Sequence, residues 1–231
     1  MSGVDWRRWR VLALLLLVAG LLGSAIVSMA LDQGEQRPLE VDGRGEVRRL
    51  LAGLEQRGST LGDPDAPLTI SIFNDLQCSP CARWQLEVVP VLVDELVRER
   101  RARLRYRQFS VSQRSVGIAF FAAAAAAEQG RGWEYAQLFL ANQDLALLNG
   151  VDERLLSAIA GAAPGLDPGL WRRDRERPEV ARAVEADAAA AFDLRLPAQP
   201  AAVVNGPGGS RTLTRSPSAA AILRAAAAVR Y

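Results

Sequence analysis

The stretch "LTISIFNDLQCSPCARW", residues 68–84, constrains the fold of this chain more than any other, because a β-branched run passes almost at once into a helical pattern. Leu68 to Phe73, bounded by the turn cluster "GDPDAP" at 62–67, reads as a buried strand. Ser79 to about Glu99 reads as a helix, kinked where Pro90 removes a backbone donor. Both cysteines of the chain, Cys78 and Cys81, lie at the junction. They are neighbours, so they cannot tie distant parts of a fold together.

A C-x-x-C pair can be a zinc half-site, a soft-metal clamp, two inert buried thiols or a dithiol that cycles with a disulfide. Structural zinc needs four ligands, and two cysteines without a single histidine do not supply them in one chain. Two thiolates holding Cu(I), and a binding module without turnover, remain open alternatives. Position favours the redox reading. The start of a helix offers unpaired N–H groups and the positive end of its dipole, which stabilise a thiolate on Cys78, the expected nucleophile. Cys81 lies about one turn deeper, placed to close a reversible disulfide on Cys78. No cofactor and no metal site is expected.

Composition removes most other plans. All 28 basic residues are Arg, against 26 acidic residues, and the chain contains neither His nor Lys. A Ser-His-Asp triad, a Cys-His dyad, a Schiff-base lysine and a P-loop lysine are therefore excluded. Charge is nearly balanced and forms no long block of one sign, so no nucleic-acid partner is expected.

Residues 11–31, "VLALLLLVAGLLGSAIVSMAL", are uncharged and as a helix would span about 30 Å, the thickness of a bilayer core. Arg7, Arg8 and Arg10 precede them and Asp32 and Glu35 follow, which by the positive-inside rule puts the N-terminus in the cytoplasm and the rest outside. The segment reads as a single-pass transmembrane anchor (signal-anchor), or as a signal peptide cleaved after "SMA". Residues 1–10 are then a cytoplasmic stub, and 32–62 a tether carrying one short amphipathic helix around Val47, Leu50, Leu51 and Leu54.

Beyond the first helix, "RLRYRQF" at 103–109 alternates like a strand, and Ser115 to about Asp193 is Ala-rich and helical, with three or four helices broken near Gly130, Gly150, Gly161 and Pro164. "AAVVN" at 201–205 and "RTLTR" at 211–215 read as strands about a Gly-Pro-Gly-Gly turn, followed by a helix from about Pro217 to Val229. The class is α/β.

"LTISIFNDLQCSPCARW" resembles the active-site strand and helix start of the DsbA-like thioredoxin-fold thiol:disulfide oxidoreductases. "TLGDPDAP", "FFAAAAAAEQGRGWEYAQLFLANQ" at 120–143 and "LPAQPAAVVNG" at 196–206 resemble that family's lead-in, inserted helical domain and cis-proline loop. The resemblance implies a thioredoxin-like domain over 63–231 with a helical insertion at about 113–195. It implies that Pro200 is a cis-proline facing the disulfide, and that the backbone of Gln199 pairs with an extended substrate chain. It also implies client proteins with cysteine thiols or disulfides and a membrane redox partner. Two departures stand out. Ser79-Pro80 separates the cysteines without the His of strongly oxidising relatives, and Ile72 replaces the acid often found six residues before the first cysteine. The first predicts a potential less oxidising than that of DsbA. The second leaves Asp75 as the nearest carboxylate, either moving a proton at Cys81 or capping the turn.

Overall fold

The computed structural model describes residues 39–111 and 117–231. Along these residues run α1 (Arg44–Leu51), β1 (Gln56–Arg57), β2 (Thr60–Leu61), β3 (Leu68–Asn74), α2 (Ser79–Leu92) and β4 (Ala102–Gln108). Then come α3 (Ile118–Glu128), α4 (Gly132–Ala141), α5 (Gln143–Asn149), α6 (Glu153–Ala162), α7 (Pro168–Asp174), α8 (Pro178–Asp193), β5 (Ala201–Gly206), β6 (Gly209–Leu213) and α9 (Ala219–Ala228). The strands form one sheet in the order β1-β2-β4-β3-β5-β6. β3 and β4 are parallel, as the α2 crossover between them permits, and the other pairs are antiparallel. This is a thioredoxin-like α/β fold with a helical insertion between β4 and β5.

Strand alternation decides what each face of the sheet carries. Leu68, Ile70 and Ile72 of β3, Leu104 and Tyr106 of β4, and Ala202 and Val204 of β5 join the main core with α2 and α9. Phe73, Ala201 and Val203 turn to the other face and pack with Leu196 and Ala191 of α8. Arg103, Arg105 and Arg107 share that second face, where Arg107 pairs with Asp187 of α8 at 2.9 Å.

α2 departs from the expected helix to Glu99. After Pro90 the chain opens into a π turn, Val93–Val97, in which Arg98 N reaches Val93 O at 2.9 Å. The Arg98 guanidinium then donates to Leu50 O at 2.9 Å and Ala52 O at 3.1 Å, satisfying carbonyls at the end of α1. In the described part of the expected tether, 39–62, the short amphipathic helix is α1. Val47 and Leu51 of α1 are buried in the main core, and β1 and β2 extend the sheet. A short helix with an apolar stripe is stable only when packed.

The insertion holds six helices among the described residues, where three or four were expected. Gly130 and Gly150, both at positive φ, mark two of the breaks as read. The additional ones come from Asn142, whose side chain donates to Leu138 O at 2.7 Å, and from Pro168 and Pro178 at helix starts. α3 is buried almost all round, and its alanines let α4, α7 and α8 pack close. Trp171 stacks on Tyr135 and donates to Ala122 O at 2.8 Å, filling the centre of the block. At the far end of the sheet, a Cβ on Gly206 would meet Val229 O at 2.3 Å, so only glycine permits the last helix to close there.

The expected membrane segment, 11–31, lies outside the described residues, as does the expected start of the insertion near 113. Among the described residues no helix is long and apolar enough to cross a membrane.

Candidate active site

β3 ends at Asn74, and four residues later Cys78 takes extended backbone angles as the N-cap of α2. The intervening turn is built by Asp75. Its carboxylate accepts from Gln77 N at 2.9 Å, and its carbonyl accepts from Cys78 N at 3.2 Å. Cys78 caps the helix with sulfur, its Sγ accepting from Cys81 N at 3.3 Å. The two cysteines are joined as a disulfide with their Cα atoms 5.1 Å apart. Cys78 is partly exposed and Cys81 fully buried, so an incoming thiolate has access to one sulfur only. Pro80 occupies the exposed first turn and has no N–H to offer there.

Two buried amides hold this turn. Asn74 Nδ2 donates to Gln85 Oε1 at 2.5 Å, and Asn74 Oδ1 accepts from Asp75 N at 3.1 Å, which locks the strand end to the second turn of α2. Gln143, the first residue of α5, donates through Nε2 to Leu76 O and accepts through Oε1 from Ser79 Oγ at 3.4 Å. The insertion therefore touches the dipeptide between the cysteines.

Asp75 is almost fully buried. Burial pushes its carboxyl above the ordinary carboxylate range, and hydrogen bonds from Gln77 N and the Ser110 hydroxyl offset part of that rise. Of the two readings of Asp75, the turn-building one describes the hydrogen bonds its side chain and carbonyl make here.

The Gln199–Pro200 peptide bond is cis. The β3–β5 register pairs Phe73 with Ala201, which sets Pro200 beside Asn74 at the sheet end that carries Cys78. Gln199 Oε1 accepts from Val111 N at 3.0 Å, linking this loop to the one after β4. Beside it runs a groove of about 960 Å³ lined in part by Ser110, Val111, Phe120, Phe192 and Leu196, with the Phe192 ring 82% exposed.

The residues singled out from the sequence, Asp75, Cys78, Ser79, Pro80, Cys81, Gln199 and Pro200, thus collect at one end of the sheet. Asn74, Gln85, Ser110 and Gln143 complete the site and were not read from sequence. A buried polar residue next to the C-x-x-C pair was the one available signal for Asn74. Gln143 lies too far along the chain to form any local pattern with the cysteines. Among the described residues no group of three or more metal-ligating side chains lies together.

Residues 55–203 match the family model described as thioredoxin. No curated protein matches the chain in sequence. Among solved structures, oxidised BdbD from Bacillus subtilis is similar at 16% identity, covering 75% of this chain and 95% of its own, with a TM-score of 0.59. Wolbachia pipientis α-DsbA1 is 16% identical over 78% of this chain and 92% of its own, with a TM-score of 0.61. Chlamydia trachomatis DsbA is 19% identical over 73% and 89%, with a TM-score of 0.57. At these identities the likeness is one of fold.

Proposed function

This chain belongs to the thioredoxin family and carries the Cys78–Cys81 pair of a thiol:disulfide oxidoreductase, and from that premise we propose that it exchanges disulfides with exported proteins on the outer side of a membrane. One observation carries the reading: the pair caps a helix N-terminus with Cys78 open and Cys81 sealed. A client thiolate attacks Cys78 Sγ, the Cys78–Cys81 bond breaks, and its electron pair leaves on Cys81. A second client thiolate then attacks the client sulfur of the mixed disulfide and releases Cys78 as a thiolate. The client loses two electrons and the pair gains them. Run backwards, the same steps reduce a client disulfide.

The helix start favours the Cys78 thiolate through Cys81 N, but the missing N–H at Pro80 makes this help smaller than a full first turn would give. Asp75 is the carboxyl that takes or returns the proton of Cys81, because it is buried at the same turn and burial raises its pKa above the ordinary carboxylate range. The client chain lies extended along Gln199–Pro200, and the groove beside Phe192 receives its apolar side chains. The apolar segment 11–31, with Arg before it and acid after it, supports a single-pass anchor with the domain outside, where a membrane redox partner resets the pair.

Cys81→Ala tests this reading. Cys78 keeps its nucleophile but loses the neighbour that releases it, so clients accumulate as mixed disulfides that dithiothreitol cleaves. In intact cells, after dithiothreitol has released those adducts and been washed out, the same Cys78 reacts with a membrane-impermeant maleimide. An absence of reducible adducts refutes the exchange reaction, and protection from the maleimide refutes the location.

A further inference from the structure

We propose that Gln143 is a positioning residue that sets the redox poise of the Cys78–Cys81 pair by holding the Ser79 hydroxyl proton away from the Cys78 sulfur. The inference rests on the reading of the pair as redox-active and names a control on it from the inserted helical block.

The direction of each hydrogen bond follows from chemistry. Leu76 O is a carbonyl and can only accept, so the Gln143 amide must turn its nitrogen toward it. That leaves Oε1 facing Ser79, and Oε1 can only accept, so the Ser79 hydroxyl must donate. A serine has one hydroxyl hydrogen, and here it is directed at Gln143 Oε1 across a long 3.4 Å contact. The chain at the start of α5 is also fixed by the residue before Gln143. Asn142, the preceding residue, accepts from Asp42 N at 2.9 Å and donates to Asp42 O at 3.0 Å and Leu138 O at 2.7 Å. Gln143 is itself nearly buried, so solvent does not compete for its oxygen.

In the disulfide, Cys78 carries no charge and loses nothing by this arrangement. In the dithiol, the hydroxyl of the adjacent residue would be a ready donor to a Cys78 thiolate. Gln143 withholds that donor, raises the Cys78 thiol pKa and favours the disulfide. The relevant equilibrium converts the Cys78–Cys81 disulfide and two glutathione thiols into the dithiol and one glutathione disulfide.

The experiment uses the full-length protein in detergent, titrated with glutathione and followed by alkylation, with thiolate absorbance read against pH. Gln143→Ala is expected to lower the Cys78 pKa and shift the equilibrium about tenfold toward the dithiol, equivalent to about 30 mV more oxidising. Gln143→Glu keeps an acceptor for Ser79 but adds negative charge, and is expected to shift both quantities the other way. In a Ser79→Ala background, Gln143→Ala is expected to have no effect, because the hydroxyl it controls is gone. A Gln143→Ala shift below twofold, or one of equal size with and without the Ser79 hydroxyl, overturns the proposal even if the variant melts at a lower temperature. A wild-type pair that dithiothreitol cannot reduce overturns both this proposal and the functional reading. A reducible pair that forms no client adducts in the Cys81→Ala protein refutes the functional reading alone.

Discussion

Replacing Asn74 with Ala removes the side chain that ties the end of β3 to α2, and its cost can be worked from the bonds it makes. Asn74 and Gln85 are both fully buried, so water does not replace what is lost. Two groups are orphaned: Gln85 Oε1, which accepts from Asn74 Nδ2 at 2.5 Å, and Asp75 N, which donates to Asn74 Oδ1 at 3.1 Å. The contact to Cys81 O, at 3.5 Å, is long and weak and is left out of the sum. A buried polar group left without a partner costs about 1–3 kcal/mol, so two orphans predict a loss of roughly 2–6 kcal/mol. With a urea m-value of about 3 kcal/mol per M, the unfolding midpoint should fall by about 1 M while m stays constant. Asn74→Leu combined with Gln85→Met replaces both partners by apolar groups of similar shape and leaves only Asp75 N unsatisfied. That pair should regain roughly 1–3 kcal/mol over Asn74→Ala. The assay is equilibrium urea unfolding of the oxidised protein by fluorescence and circular dichroism together. An Asn74→Ala protein within about 0.5 kcal/mol of wild type, a value typical of surface changes, would refute the reasoning.

Asp75→Asn should act through pH. The folded-state pKa of Asp75 is raised by burial, so its contribution to stability is full below the unfolded carboxylate value and is lost as pH rises through the raised value. Asparagine has no such loss, so the melting temperature of the variant relative to wild type should climb from about pH 4 upward, and a flat or falling difference contradicts the burial argument. Gly206→Ala should destabilise without touching the chemistry. Its Cβ would lie 2.3 Å from Val229 O and 2.5 Å from Leu68 Cδ2, an overlap that costs about 1–3 kcal/mol, or roughly 2–9 °C in melting temperature, with the glutathione equilibrium unchanged. An unchanged melting temperature would show that the C-terminal residues move aside freely.

The features legible in the sequence are those whose cause is local. β3 was readable because Leu68 to Phe73 is a β-branched run closed by turn residues, and β4 because Arg103, Arg105 and Arg107 alternate with buried Leu104 and Tyr106. The cysteine pair was readable because both thiols, and the helix start that activates them, lie within four residues. β1 and β2 were not, since strands of two residues have no period and bury one side chain, Leu61, between them. Several helix breaks in the insertion did carry local marks, such as Asp167 before Pro168, whose carboxylate accepts from Gly169 N and Leu170 N. Gln143 carried none. Its role depends on the insertion folding back against Leu76 and Ser79, a contact between residues more than 60 positions apart. The same division separates the chemistry of the site from its tuning. A disulfide exchange needs two sulfurs on one helical turn, which a single stretch supplies. In the proposal above its poise depends on where one hydroxyl proton points, which Gln143 settles from another part of the chain, just as the Ser110 hydroxyl reaches the buried Asp75 from beyond β4. On that proposal, a chain that kept residues 68–84 unchanged but altered Gln143 is expected to keep the exchange reaction and change the potential at which it runs.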